Sequence, residues 1–277
     1  MSLKLRARAG VLAAVAGLCL AGAVRAETPQ ACDLAYQQLS AEIVAQARAA
    51  RAADNGYPAL LKRWQAEGAR CKGSGIYEIR LAQVQMLNGD HAGARAQLDA
   101  LPEGGKAYAR EQRLARLWLT YWQTDADKEP ARWAELRRTL ASLTRQNPDD
   151  AEAQALHGFA LLASGEDRLA IQALQAALRG PASSDRYDHY KALMLAHVNL
   201  GDFAQAETML EQAYELNPAL TSDPAAVMAA LAISVKQGNT RLAGNLIVII
   251  KARHPQLRQL PAFQALVAEQ EASERKR

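Results

Sequence analysis

Aromatic residues make up only 5% of this 277-residue chain, and runs of β-branched residues are scarce. Strands need such side chains to cover a pleated face, so the shortage argues against sheet. Alanine and leucine are abundant instead, and both favour helix. Three cysteines are too few for a disulfide-dense scaffold. Enzyme signatures are lacking as well. There is no phosphate-binding glycine loop, no zinc-protease His-Glu pattern and no Gly-x-Ser-x-Gly elbow. The five histidines, His91, His157, His189, His197 and His254, are scattered among turns and different helices, and no metal or cofactor is expected. Asp149 and Asp150 follow Pro148 at a helix start, where capping accounts for them. The expectation is a helical protein without catalysis.

One apolar run stands out, "VLAAVAGLCLAGAV" at residues 11–24. Its 14 residues fall short of a span, which needs roughly 20. With Lys4, Arg6 and Arg8 before it and small residues at Val24 and Ala26, it reads as an export signal over residues 1–26, cleaved after Ala26. A lipid anchor is disfavoured because Leu18, not a small residue, precedes Cys19. The expected location is therefore the periplasm, with secretion as second choice. The signal holds four of the 33 basic residues and no acid, so 29 basic residues face 29 acidic ones in the remainder. Such balance gives no general electrostatic reason to bind nucleic acid or an anionic membrane.

Cys32 and Cys71 remain after cleavage, in a compartment that oxidises thiols. Apolar periodicity predicts one helix starting at Cys32 and a second ending just before Cys71, with Asp54, Asn55 and Gly56 as the turn. An antiparallel hairpin brings those two ends together, which favours a disulfide over a pair of buried free thiols.

The stretch "GDFAQAETMLEQAYELNP" places Gly201, Ala206, Ala213 and Pro218 at offsets that recur. Shifted by 37 residues they become Gly238, Ala243, Ile250 and Pro255; shifted back by 36 they become Gly165, Ala170 and Ala177, with Pro181 one residue early. Gly89, Ala94 and Leu101 begin a further copy. Glycine can take the left-handed backbone that closes a first helix. The polar residue after it, Asp90, Glu166, Asp202 or Asn239, can open a second. The alanines let two helices approach closely, and proline stops the second one.

On these residues, 151–255 resembles three consecutive tetratricopeptide repeats (TPRs), and 75–101 a truncated fourth. Tyr190 and Leu193 keep the family's large apolar pair in the middle copy, whereas Gln154 and His157 replace it before and Val227 and Ala230 after. Residues 103–148 fit a stretched hairpin, with Trp133, Leu136, Leu140 and Leu143 on one stripe and Asp127 and Pro130 at a helix start. The expected fold is all-α, a solenoid of about six hairpins beginning near residues 32, 75, 106, 151, 187 and 224. The expected divisions are 1–26 for the signal, 27–74 for a stapled hairpin, 75–148 for divergent hairpins, 151–255 for the repeats, and 256–277 for a capping helix and charged tail.

The resemblance implies a scaffold that binds protein or peptide partners on a concave face built from the first helix of each pair. Carried over position by position, the groove would comprise Ile79, Gln83 and Met86, then Phe159 and Leu162, then Lys191, Leu195 and Asn199, then Met228, Ala232 and Lys236. Polar groups there could anchor a peptide backbone or carboxylate. Exported TPR proteins serve envelope assembly, export and secretion, and partners of that kind are expected. A separate cluster, Trp118, Tyr121, Trp122 and Trp133, has two readings. It is either the core of an oversized hairpin or an aromatic shelf for a partner or a glycan such as peptidoglycan.

Overall fold

Four glycines decide where the chain reverses. In the computed structural model, which describes residues 28–50, 56–102, 108–180 and 186–275, Gly89, Gly165, Gly201 and Gly238 have φ of 78°, 72°, 75° and 72°. Each lies just past a helix, and the amide after it donates back into the last turn, as Asp90 N does to Gln85 O and Asp202 N to His197 O, both at 2.9 Å. This satisfies carbonyls that the helix end leaves without partners. Asp90, Asp202 and Asn239 then open the next helix by accepting from the amides of Gly93, Gln205 and Leu242. Glu166 does not cap, contrary to expectation, and its carboxylate instead meets Arg137. Its extra methylene carries the oxygens past the amides that an Asp reaches. Asp127 also plays no capping part; Asp125 holds that turn by accepting from the amides of Asp127 and Lys128, and the helix opens at Pro130.

Among the described residues, six hairpins and a terminal helix result. In chain order they are α1 (Pro29–Ala49) with α2 (Tyr57–Glu67), α3 (Ile76–Leu87) with α4 (His91–Asp99), and α5 (Ala109–Gln123) with α6 (Pro130–Gln146). Then come α7 (Ala151–Ala163) with α8 (Asp167–Arg179), α9 (Arg186–Asn199) with α10 (Phe203–Leu216), α11 (Pro224–Lys236) with α12 (Thr240–Arg253), and α13 (Pro261–Glu274). Among the described residues no regular element is a strand, and no helix is long and apolar enough to cross a membrane. The proposed signal lies outside the described residues.

Small residues on the second helices set the packing. Ala94, Ala170, Ala206 and Ala243 are all fully buried. A close approach occurs between α7 and α8, where a β-carbon at Gly158 would lie 2.6 Å from Leu174 Cγ and 3.2 Å from its backbone nitrogen. Only glycine admits the two backbones at that distance.

Both ends of the stack are covered. At the first, Cys32 and Cys71 are joined, with their Cα atoms 5.8 Å apart. Beside them Trp64 fills the space between α1, α2 and α3, its ring centroid 5.1 Å from that of Tyr36 and 5.5 Å from that of Tyr77. At the other end α13 lays Phe263, Leu266 and Val267 on the apolar side of α11 and α12. Gln270 fastens it by donating to Thr240 O at 3.0 Å. A repeat array needs such terminal covers, because each unit buries only the faces its neighbours reach.

Candidate functional site

From α3 onward, each first helix packs on the first helix of the next hairpin, and α11 packs on α13; no two second helices pack comparably. The closer row must lie at the smaller radius. The first helices therefore form the inner, concave side. Side chains confirm how sharply it curves. Gln83 on α3 donates to Glu152 on α7 at 3.4 Å, across the whole width of the hairpin between them.

That contact belongs to a charged floor no sequence motif revealed. Arg80 donates to Asp33 of α1 and to Gln83, both at 2.7 Å. Arg110 of α5 grips Asp150 through two bonds of 2.6 and 2.8 Å and approaches Glu152 at 3.6 Å. Four hairpins are thus linked through their inner faces. Desolvation pushes the Glu152 carboxyl above its ordinary range, against the pull of Arg80 and Arg110. Burial also opposes the ionised form of Asp150, yet bonds from Arg110 and the Ala153 amide outweigh it and hold that carboxyl below its ordinary range. A carboxyl depressed by folding stabilises above its unfolded pKa and loses that contribution as pH falls through the folded value. Asp150→Asn keeps the helix cap and discards the ion pair with a half-exposed Arg110, at an expected cost of about 1 kcal/mol at neutral pH. The gap between variant and parent in thermal melts should close as pH drops below 3.8, the unfolded reference for Asp150.

The eleven groove positions carried over from the repeat pattern divide into three groups. Ile79 and Met86 are 0% and 4% exposed and lie in the core of the N-terminal hairpins, so they line no open face. Gln83, Phe159, Leu195 and Ala232 stand half-buried at one equivalent position in α3, α7, α9 and α11, while Leu162 and Met228 pack half-buried against hydrophobic clusters. The polar three are committed to neighbouring hairpins. Lys191 bonds Asp223 at 3.0 Å, Asn199 bonds Asp167 at 2.9 Å, and Lys236 reaches Glu269 of α13 at 2.7 Å. Burial depresses the Lys191 ammonium, but Asp188 and Asp223 more than reverse this and hold it above the usual lysine range. These side chains brace the joints of the stack. Sequence reasoning missed that, because Asp223, Asp167 and Glu269 sit 32 or 33 residues from the groups they bond.

The aromatic cluster divides as well. Trp133 is buried between α6 and α7 and donates its ring N–H to Ser164 Oγ at 2.9 Å. Tyr121 is at the centre, with the rings of Trp118, Trp122 and Trp133 at 5.8, 5.5 and 5.6 Å. Trp118 continues onto Phe159 at 5.8 Å, and Phe159 stacks on His189 at 5.7 Å. An aromatic strip therefore runs along the concave side from α5 to α9. Its rings mostly cover one another, and Trp122, 47% exposed, is the one tryptophan standing largely in solvent. The histidines remain apart in their bonding: His157 meets Thr144, His197 meets Asp202, and His254 meets the Thr221 carbonyl. Among the described residues no three His, Cys, Asp or Glu side chains are placed to hold a metal ion.

No family model matches the sequence, and no curated protein does. In three dimensions the chain is similar to one in the crystal structure of the APC/C hetero-tetramer Cut9–Hcn1, a TPR-repeat structure, at 16% identity with a TM-score of 0.54. The likeness covers 78% of this chain and 40% of that one, so the chain spans well under half the length of the structure it matches. At that identity the likeness speaks to fold alone. Together with the recurring glycine turns, it establishes the architecture as an all-helical solenoid of TPR type.

Proposed function

We propose that this chain is a non-enzymatic scaffold that holds a protein or peptide partner along the inner faces of α9 and α11, working in the periplasm in envelope assembly, export or secretion. The observation that carries the reading is the inner row itself. Toward α3 and the start of α7 the concave side is crossed by charged groups bonded to one another, whereas along α9 and α11 it presents Leu195, Met228 and Ala232, half-buried and apolar, between the braces at Lys191 and Lys236. A partner that covers them gains apolar contact without breaking an ion pair. The location rests on the leader-like first 26 residues and on the paired Cys32 and Cys71, which suit an oxidising compartment.

Leu195→Arg with Ala232→Arg places two large cations in that trough while leaving the bracing pairs intact. Partners co-purified from native envelope extract should be depleted about tenfold or more by this double variant, with an unchanged helical circular dichroism spectrum. Undiminished recovery of every partner by a folded double variant would rule out the inner face. Glutamate at Lys191, Asn199 or Lys236 is the poorer test, since each would unpair Asp223, Asp167 or Glu269 and loosen a joint.

A further inference from the structure

A second opening lies on the other side of the stack. Between α6 and α8 the outer face of α7 lies uncovered, leaving a cleft of about 640 Å³. Its origin is visible in the repeat pattern. In the next hairpin, Tyr190 packs against the apolar clusters on both sides of α9, and Leu193 is buried below it. The equivalent residues of α7 are Gln154 and His157. Gln154 turns aside to donate to the Pro148 carbonyl, and His157 is held to Thr144 Oγ1 at 3.2 Å. Two polar side chains spent on local bonds leave open the space that a tyrosine fills one repeat later.

The chemistry of the cleft is one-sided. Three guanidiniums, Arg137, Arg138 and Arg145, border it on α6 against a single carboxylate, Glu166, which Arg137 already engages. Burial lowers the pKa of His157, so it adds no charge at neutral pH. Arg138 and Arg145 form no ion pair among the described residues and stand seven positions apart, two turns along one side of α6. The α8 residues that border the cleft are uncharged: Leu169, 48% exposed, with Gln172, Ala173 and Ala176, while Leu161 lies on the floor.

We infer that this cleft is a second docking site, and that its occupant is an acidic amphipathic helix of a partner protein. The occupant's apolar stripe would rest on Leu161, Leu169 and the alanines, with carboxylates along the edge that meets Arg138 and Arg145. Charge complementarity selects the acid, and an apolar floor selects a striped helix over a uniformly charged chain. The site lies on the face opposite α9 and α11's trough, so it stands or falls independently of the proposed inner-face function.

The test uses the full chain and a fluorescein-labelled synthetic helix of about 18 residues, bearing a leucine and alanine stripe flanked by glutamates. Anisotropy should show saturable binding, weakened about tenfold or more by Arg138→Glu with Arg145→Glu and by Leu169→Glu. Leu195→Arg with Ala232→Arg should leave it unchanged. Arg138→Gln with Arg145→Gln, which introduces no new charge, should weaken it to a smaller degree. Absence of saturable binding would overturn the proposal. So would equal binding of a peptide with glutamines for glutamates or serines for leucines. Loss of self-association in Arg138→Glu with Arg145→Glu, seen by sedimentation without peptide, would assign the cleft to a second copy of this chain and overturn it as well.

Discussion

Replacing Cys32 and Cys71 together by alanine is expected to lower the local stability of α1 and α2 by about 4 kcal/mol, the loop-closure figure for a bridge spanning 39 positions. The two sulfurs lie in the buried cluster that α1 and α2 share with α3, so the bridge and the core report on one unit. In a linear array such a loss should fade with distance, because hairpins beyond the inner charged floor meet α1 and α2 only through the units between them. Hydrogen exchange resolves this. Amides of α1 and α2 should exchange about a thousandfold faster in the double variant, and those of α9 to α12 should keep their protection. An equal loss across all hairpins would show that the stack melts as one body, and unchanged exchange in α1 would show that the bridge constrains nothing. Reduction of the parent by a thiol should reproduce the result.

The turns were legible in the sequence because each depends on one residue's backbone. Glycine at 89, 165, 201 and 238 permits the positive φ each reversal needs, and an Asp or Asn after 89, 201 and 238 supplies the cap. The pairing of Cys32 with Cys71 was legible for a similar reason, since helix length alone brought the two ends together. The concave side was not. Which positions of a first helix remain open depends on how closely the next first helix approaches, and local spacing does not encode that distance. Ile79 and Met86 occupy groove positions by register, yet helices on either side cover them. Arg80, Gln83, Arg110 and Glu152 carry no mutual spacing that suggests a cluster, and they meet because the stack bends. Polar residues chosen as ligand anchors proved to be braces for the same reason. The outer cleft had left a trace, in Gln154 and His157 standing where the repeat wants bulk, but their effect becomes visible only beside Tyr190 and Leu193 in place.

Trp64→Ala should cost about 3–5 kcal/mol, the range for emptying a buried tryptophan site. The side chain is 1% exposed, its ring N–H donates to the Tyr77 carbonyl of α3 at 3.4 Å, and Arg80 lies over the Tyr36 ring that edges it. Gly68 shows how tightly it is held, since a β-carbon there would come within 2.8 Å of the indole. Relaxation into the cavity is therefore restricted, because the neighbouring rings, Tyr36 on α1 and Tyr77 on α3, press on it from two other helices, and the disulfide ties α1 to Cys71 just beyond α2. The bridge acts mostly by shrinking the unfolded ensemble, whereas Trp64 acts in the folded state, yet both lie in one buried cluster, so the combined loss in α1 and α2 should fall short of the sum. Denaturant titration followed by α1 exchange checks this: a combined loss equal to the sum would mean that the bridge does nothing to position Trp64. Detaching the hairpin would strip Ile76 and Tyr77 of their cover and release Asp33 from Arg80. The charged floor would then lose its first member, and the disturbance would pass through Gln83 to Glu152 on α7. Smaller but measurable acceleration of α7 exchange in Trp64→Ala, with α9 to α12 unchanged, is the signature that the inner network transmits strain along the stack.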